Sequence, residues 1–127
     1  MNSKLNKLEK DVIKAILKSN DKNDMYEKLF CQYKDLCVKK RTFTDVGFFT
    51  EFYDCDDIFV CDGIEYLRLG GIQAEITGLK YGAGFVLYIK NGKIVLLEGY
   101  CYDEKWPNDA DIIELFEVQE NGSLIKI

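Results

Sequence analysis

A chain of 127 residues, 47% hydrophobic and 31% charged, is long enough to bury a core without a metal or disulfide, and its composition excludes the disordered and disulfide-scaffold classes. It contains no histidine and carries a net charge of −5; this removes the usual base for nucleophilic catalysis and makes the whole molecule repel nucleic-acid phosphate. The charge is unevenly spread: residues 1–41 hold eleven bases and six acids (+5), residues 42–127 six bases and sixteen acids (−10).

The lysines at 4, 7, 10, 14 and 18 interrupt any apolar stretch of signal-peptide length, and nowhere do about 18 apolar residues run together. The expected address is therefore the cytoplasm. The cysteines, Cys31, Cys37, Cys55, Cys61 and Cys101, are odd in number and form no C-x-x-C pair. They read as free thiols acting as small hydrophobes, and no zinc site is expected from their spacing.

In chain order, Leu5, Leu8, Val12, Ile13 and Ile16 recur at helical spacing, predicting an amphipathic helix over about 3–18 with Ser3 as N-cap. The polar run at 19–24 ends it and offers caps for a second helix, with Tyr26, Leu29, Phe30, Tyr33 and Cys37 on one face. From residue 40 the period changes. RTFTDVGFFTEFY is rich in threonine and aromatics, which favour strands, whereas DCDDIFVCDGIEYLRL gives no clear period. Ile72, Ala74 and Ile76 alternate with Gln73, Glu75 and Thr77, as in a strand with one buried face. Asn91-Gly92 joins two apolar runs and predicts a type I′ hairpin; Asn121-Gly122 suggests a terminal one. The expected fold is α+β, a single domain spanning 1–127. Two N-terminal helices within about 3–37 cover one face of a twisted, mainly antiparallel sheet of five to seven strands from about residue 40 onward. The other face is expected to be partly open.

Chemistry is harder to place. The glycines at 70–71 and at 82 and 84 match no phosphate-binding pattern. Asp54, Asp56, Asp57, Asp62 and Glu65 form an acidic window without the glycine and ligand count of a calcium loop. The window reads as a solvated loop; with Glu98 it also supplies the alternative of a carboxylate- or metal-dependent hydrolase. The first helix is basic, but its lysines alternate with core positions and read as a solvated face.

From Asp103 to Glu120 seven acids accompany a single base, Lys105, and interleave with Trp106 and Phe116 just after Tyr100 and Tyr102. Large aromatics ringed by charge are what protein–protein interfaces use, and a dense negative patch steers a basic partner. Trp106-Pro107 admits a second reading, a plug at the end of the core. The candidate partner-binding residues are Glu98, Tyr100, Tyr102, Asp103, Glu104, Trp106, Asp109 and Asp111.

The blocks TDVGFFTEF (44–52), GGIQAEITGLKYGAGFVLYIKNGKI (70–94) and LEGYCYDEKWPND (97–109) resemble a family of small bacterial proteins. Some of its members resemble immunity proteins of contact-dependent growth inhibition and other polymorphic toxin systems. Asp45 departs from the glycine expected there. The resemblance implies a cytoplasmic, non-enzymatic protein that binds and neutralises a cognate toxin domain, often a basic nuclease, without cofactor, metal, nucleic acid or membrane. An acidic nucleic-acid mimic is a further alternative.

Overall fold

The computed structural model describes residues 4–20, 25–54 and 59–127. Its first helix, α1 (Lys7–Ser19), is capped by Asn6; Ser3 lies outside the described residues. The Asn6 side chain accepts the Glu9 backbone N–H at 2.8 Å, and the Glu9 carboxylate accepts the Asn6 N–H at 2.8 Å. This reciprocal pair satisfies two donors that a helix start leaves open. Beyond it Val12, Ile13, Ala15, Ile16 and Leu17 are buried. Each large aliphatic among them contributes about 1.5–3 kcal/mol by leaving water.

The second helix, α2 (Met25–Lys34), ends before Cys37. Its inward residues are Leu29 and Gln32, with Tyr26, Phe30 and Tyr33 half-buried beside them. The rings of Tyr26 and Phe30 stack at 5.5 Å between centroids, and those of Phe30 and Tyr33 meet tilted at the same separation.

The sheet has eight strands among the described residues: β1 (Val38–Thr44), β2 (Gly47–Phe52), β3 (Tyr66–Leu69), β4 (Ile72–Ile76), β5 (Ala83–Lys90), β6 (Lys93–Cys101), β7 (Ile112–Val118) and β8 (Leu124–Lys126). All pairings are antiparallel, in the order β1-β2-β6-β5-β4-β7-β8, with β3 also on β5. The count exceeds the expected five to seven because β3 and β4 are two parts of one interrupted strand. Leu69 pairs with Leu87 and Gln73 with Gly84, so one extra residue is accommodated at Gly70-Gly71. Gly71 takes a φ of +87° there, the geometry of a glycine bulge. The bulge frees β4 to turn away and pair with β7.

Asn91 and Gly92 both have positive φ, 52° and 76°, and Lys90 pairs with Lys93. The β5–β6 connection is thus the expected two-residue turn. The terminal hairpin is also present. Its Gln119 N–H donates to the Ser123 carbonyl at 2.8 Å, leaving a three-residue tip with Gly122 left-handed.

Along the inner strands burial alternates. Phe48, Thr50, Phe52, Ile72, Ala74, Ile76, Phe85, Leu87, Leu97 and Gly99 face the helices. The residues between them face away from both helices, on a side that no helix covers among the described residues. Among the described residues, no helix is long and apolar enough to cross a membrane.

Candidate functional site

β6 ends at Cys101, and the chain then travels through residues 102–111 to reach β7. This connector is fastened at several points. Asp103 adopts a left-handed φ of 52°. The Glu104 carboxylate accepts the backbone N–H groups of Lys80 and Tyr81 at 2.8 and 3.0 Å, clamping the β4–β5 loop. The Cys101 thiol donates to the carbonyls of Val46 and Glu104, and burial, with Glu104 nearby, pushes its pKa up. Trp106 donates its backbone N–H to Asp45 and sets its ring edge-on to Phe48, 5.2 Å between centroids. A Cβ on Gly78 would touch Pro107. Trp106-Pro107 therefore closes one end of the core.

The residues selected from the sequence divide between two faces. Glu98 and Tyr100 alternate with the buried Leu97, Gly99 and Cys101 and lie on the helix-free face. Cross-strand partners share a face, so the register places Phe49 beside Glu98, and Gln73 and Phe116 in the row that crosses Gly84 and Tyr100. Tyr100 lies directly over Gly84: a Cβ there would stand 2.5 Å from its Oη and 2.6 Å from Cζ. Tyr102 meets Tyr100 edge-on at 5.7 Å and accepts a 3.2 Å hydrogen bond from Gln73 Nε2. Further along, Tyr88 donates to Glu98 at 2.7 Å. That bond, with burial and the Glu98 charge, raises the Tyr88 pKa. Arg68 stands 5.6 Å over the Tyr88 ring and Tyr66 packs at its side. The helix-free face is thus a tract of half-exposed rings set among Glu51, Glu75, Glu98 and Glu114.

Trp106, Asp109 and Asp111 lie on the opposite side. They line a cleft of about 610 Å³ between the start of α1, the β1–β2 hairpin and the connector. Its depth is formed by Phe48, Thr50 and Glu9, all buried. Glu9 is 1% exposed yet well served. Arg41 donates Nε to Oε2 at 2.9 Å and Nη2 to Oε1 at 2.8 Å, and Thr50 adds its hydroxyl at 2.7 Å. Burial works to raise the Glu9 pKa, but the bonds from Arg41, Asn6 and Thr50 together outweigh it and hold the carboxyl below its ordinary value. At the rim, Thr77 pins the backbone of Asp109 and Asp111 through its hydroxyl and N–H.

Sequence reading did not find Glu9, Arg41, Phe43 or Phe48. The capping spacing Asn6…Glu9 was a usable signal for Glu9, whereas nothing local marks Arg41 as its partner. Asp54 is exposed, and Asp56 and Asp57 lie outside the described residues. Among the described residues no group of three potential ligands could hold a metal ion, and Cys31, Cys37 and Cys101 are free thiols. No protein-family model matches the chain, and no curated protein or solved structure matches it.

Proposed function

We propose that this chain is an immunity-type protein, a stoichiometric inhibitor that binds a basic toxin domain and masks its working surface in the cytoplasm of the cell it protects. The observation that carries the reading is the helix-free sheet face. Tyr66, Tyr88, Tyr100, Tyr102, Phe49 and Phe116 present rings there, and carboxylates stand between them. A broad tract of anchored aromatics framed by charge suits a protein surface better than a small substrate. The surplus of acids after residue 41 favours a basic partner and speeds its approach. The three sequence blocks resemble a family of small bacterial proteins of which some members resemble immunity proteins, and that resemblance supplies the kind of partner.

The test is co-purification and calorimetry with the effector C-terminal domain encoded beside this chain. Binding at about nanomolar Kd, weakened by salt, and protection of cells expressing that domain are expected. A domain that neither co-purifies nor is neutralised rules the reading out. Tyr100→Ala and Tyr102→Ala should each cost about 2 kcal/mol of binding, some 30-fold in Kd, if these rings anchor the complex.

A further inference from the structure

We infer that the cleft between α1 and the β1–β2 hairpin receives an arginine side chain presented by a protein partner. The volume, about 610 Å³, is that of a ligand pocket. Its walls are ring-lined: Phe43 is 67% exposed, although its β1 position puts it beside buried Phe48, and Trp106 is only half-buried. The Phe43 ring meets that of Phe48 at 6.3 Å between centroids and leaves most of its own surface open to the cleft.

Charge then selects among ligands. The lining holds Glu9, Asp11, Asp109 and Asp111 against Lys7 and Arg41. Both cations are already engaged, Arg41 by Glu9 at 2.8 Å and Lys7 by Asp11 at 2.7 Å. Lys7 also feels Asp111, but its side chain is 89% exposed and stays hydrated. Asp109 and Asp111 form no ion pair among the described residues, and Thr77 fixes the backbone at both. An anion would enter against this balance, and a neutral apolar group would desolvate the two aspartates without compensation. A guanidinium satisfies both demands: it is weakly hydrated, stacks on aromatic rings and pairs with carboxylate through two parallel donors. An ammonium meets only the second, and holds its water more tightly.

That the side chain comes from a protein rests on the protein-binding reading above, although the cleft opens on the side opposite the helix-free face; the chemistry of the cleft does not rest on it. The experiment separates the two. Trp106 is the only tryptophan, so its fluorescence reports on the cleft directly. The full chain is titrated with acetyl-Gly-Arg-Gly-amide and with the citrulline peptide, a neutral isostere. A saturable change with the arginine peptide is expected, at least tenfold weaker with citrulline. The Asp109→Asn/Asp111→Asn variant should lose at least tenfold for arginine alone, and both positions are exposed, so its melting temperature serves as the control for folding. Shifts of the Trp106 indole N–H and Phe43 ring resonances should follow the same titration. Equal responses to the two peptides, no saturable response, or an undiminished response in the double variant would overturn the inference. Saturable arginine binding by a chain that ignores the neighbouring effector domain would uphold the cleft and defeat the immunity reading.

Discussion

Arg41 and Glu9 are joined by two parallel hydrogen bonds, Nε to Oε2 at 2.9 Å and Nη2 to Oε1 at 2.8 Å, although 32 residues separate them. The pair ties the first turn of α1 to β1 and forms part of the cleft lining. Glu9 is enclosed, whereas 29% of the Arg41 side chain remains exposed. Breaking the pair from either side should therefore be unequal. Arg41→Met leaves a buried carboxylate served only by Thr50 and Asn6 and should cost about 3–5 kcal/mol at pH 7. Glu9→Gln leaves a guanidinium that can still reach water and should cost less, about 2–3 kcal/mol. Urea unfolding of both variants measures the difference; equal losses would mean that the burial of Glu9 is unimportant.

The same pair fixes a pH dependence. In the intact protein the Glu9 carboxyl sits below its ordinary value, so the folded state holds its proton less tightly than the unfolded state. The stability this contributes is complete above the ordinary glutamate range, about pH 4.3. It is lost as pH falls through the lower, folded value. Removing Arg41 leaves burial, the largest single influence on Glu9, opposed only by the bonds from Asn6 and Thr50, and the Glu9 pKa should then rise above the unfolded one. Arg41→Met should become more stable, relative to its own value at pH 7, as the buffer is taken to about pH 5. The intact protein should show no such gain from this group. Melting curves of the two proteins at both pH values decide it.

Gln32 is the second buried polar residue that joins distant parts of the chain. It is 1% exposed. Its Nε2 donates to the carbonyls of Phe59 and Gly92 at 2.7 and 2.9 Å, and its Oε1 accepts the Ile94 N–H at 2.8 Å. One amide thus fastens α2 to the β5–β6 turn and to the segment before β3. Gln32→Leu fills the space and leaves the Ile94 N–H without a partner; a loss of about 2–4 kcal/mol is expected. Gln32→Glu keeps the acceptor but loses both donations and sets a carboxylate against two carbonyl oxygens, so it should lose at least as much at pH 7. A loss below about 1 kcal/mol in either variant would show that solvent reaches these groups.

These two residues also mark where sequence reading stops. The alternation at Ile72–Ile76, the Asn91-Gly92 turn and the lysine-spaced first helix were legible because each is a local pattern. Helical spacing alone starts the helix too early because Leu5 already fits it, while the cap and its returning carboxylate lie at Asn6 and Glu9. The eighth strand is not legible in the sequence because nothing in the spacing shows that Gly70-Gly71 divides one strand into β3 and β4. The partner-binding segment was legible as composition but not as geometry. Glu98 and Tyr100 share one strand parity and face away from the helices, whereas the connector carries Trp106, Asp109 and Asp111 around to the cleft. Glu104 is spent on the backbone of Lys80 and Tyr81, so reversing its charge would disturb a loop as well as a surface. Asp103→Asn removes a charge while keeping a residue that tolerates the left-handed φ of 52° at this position, and is the cleaner probe of electrostatic steering on this connector.

Gly84 offers a way to disturb the helix-free face without removing any side chain from it. A Cβ at this position would meet the far end of Tyr100, Oη at 2.5 Å and Cε2 at 2.8 Å, with no backbone atom among its three nearest neighbours. No positive φ is required of Gly84, so alanine fits the strand and the ring must move. Gly84→Ala should change stability by less than about 1 kcal/mol, because a half-exposed tyrosine can swing outward and alanine orders the unfolded chain slightly better than glycine. The displaced ring should lose its 5.7 Å edge-on contact with Tyr102. If the proposed partner binds across this face, its affinity should fall by at least tenfold while association stays fast, since no charge has changed. Binding kinetics with the effector domain, paired with a melting curve, test both halves. A variant that melts normally and binds with an unchanged dissociation rate would place the interface away from Tyr100.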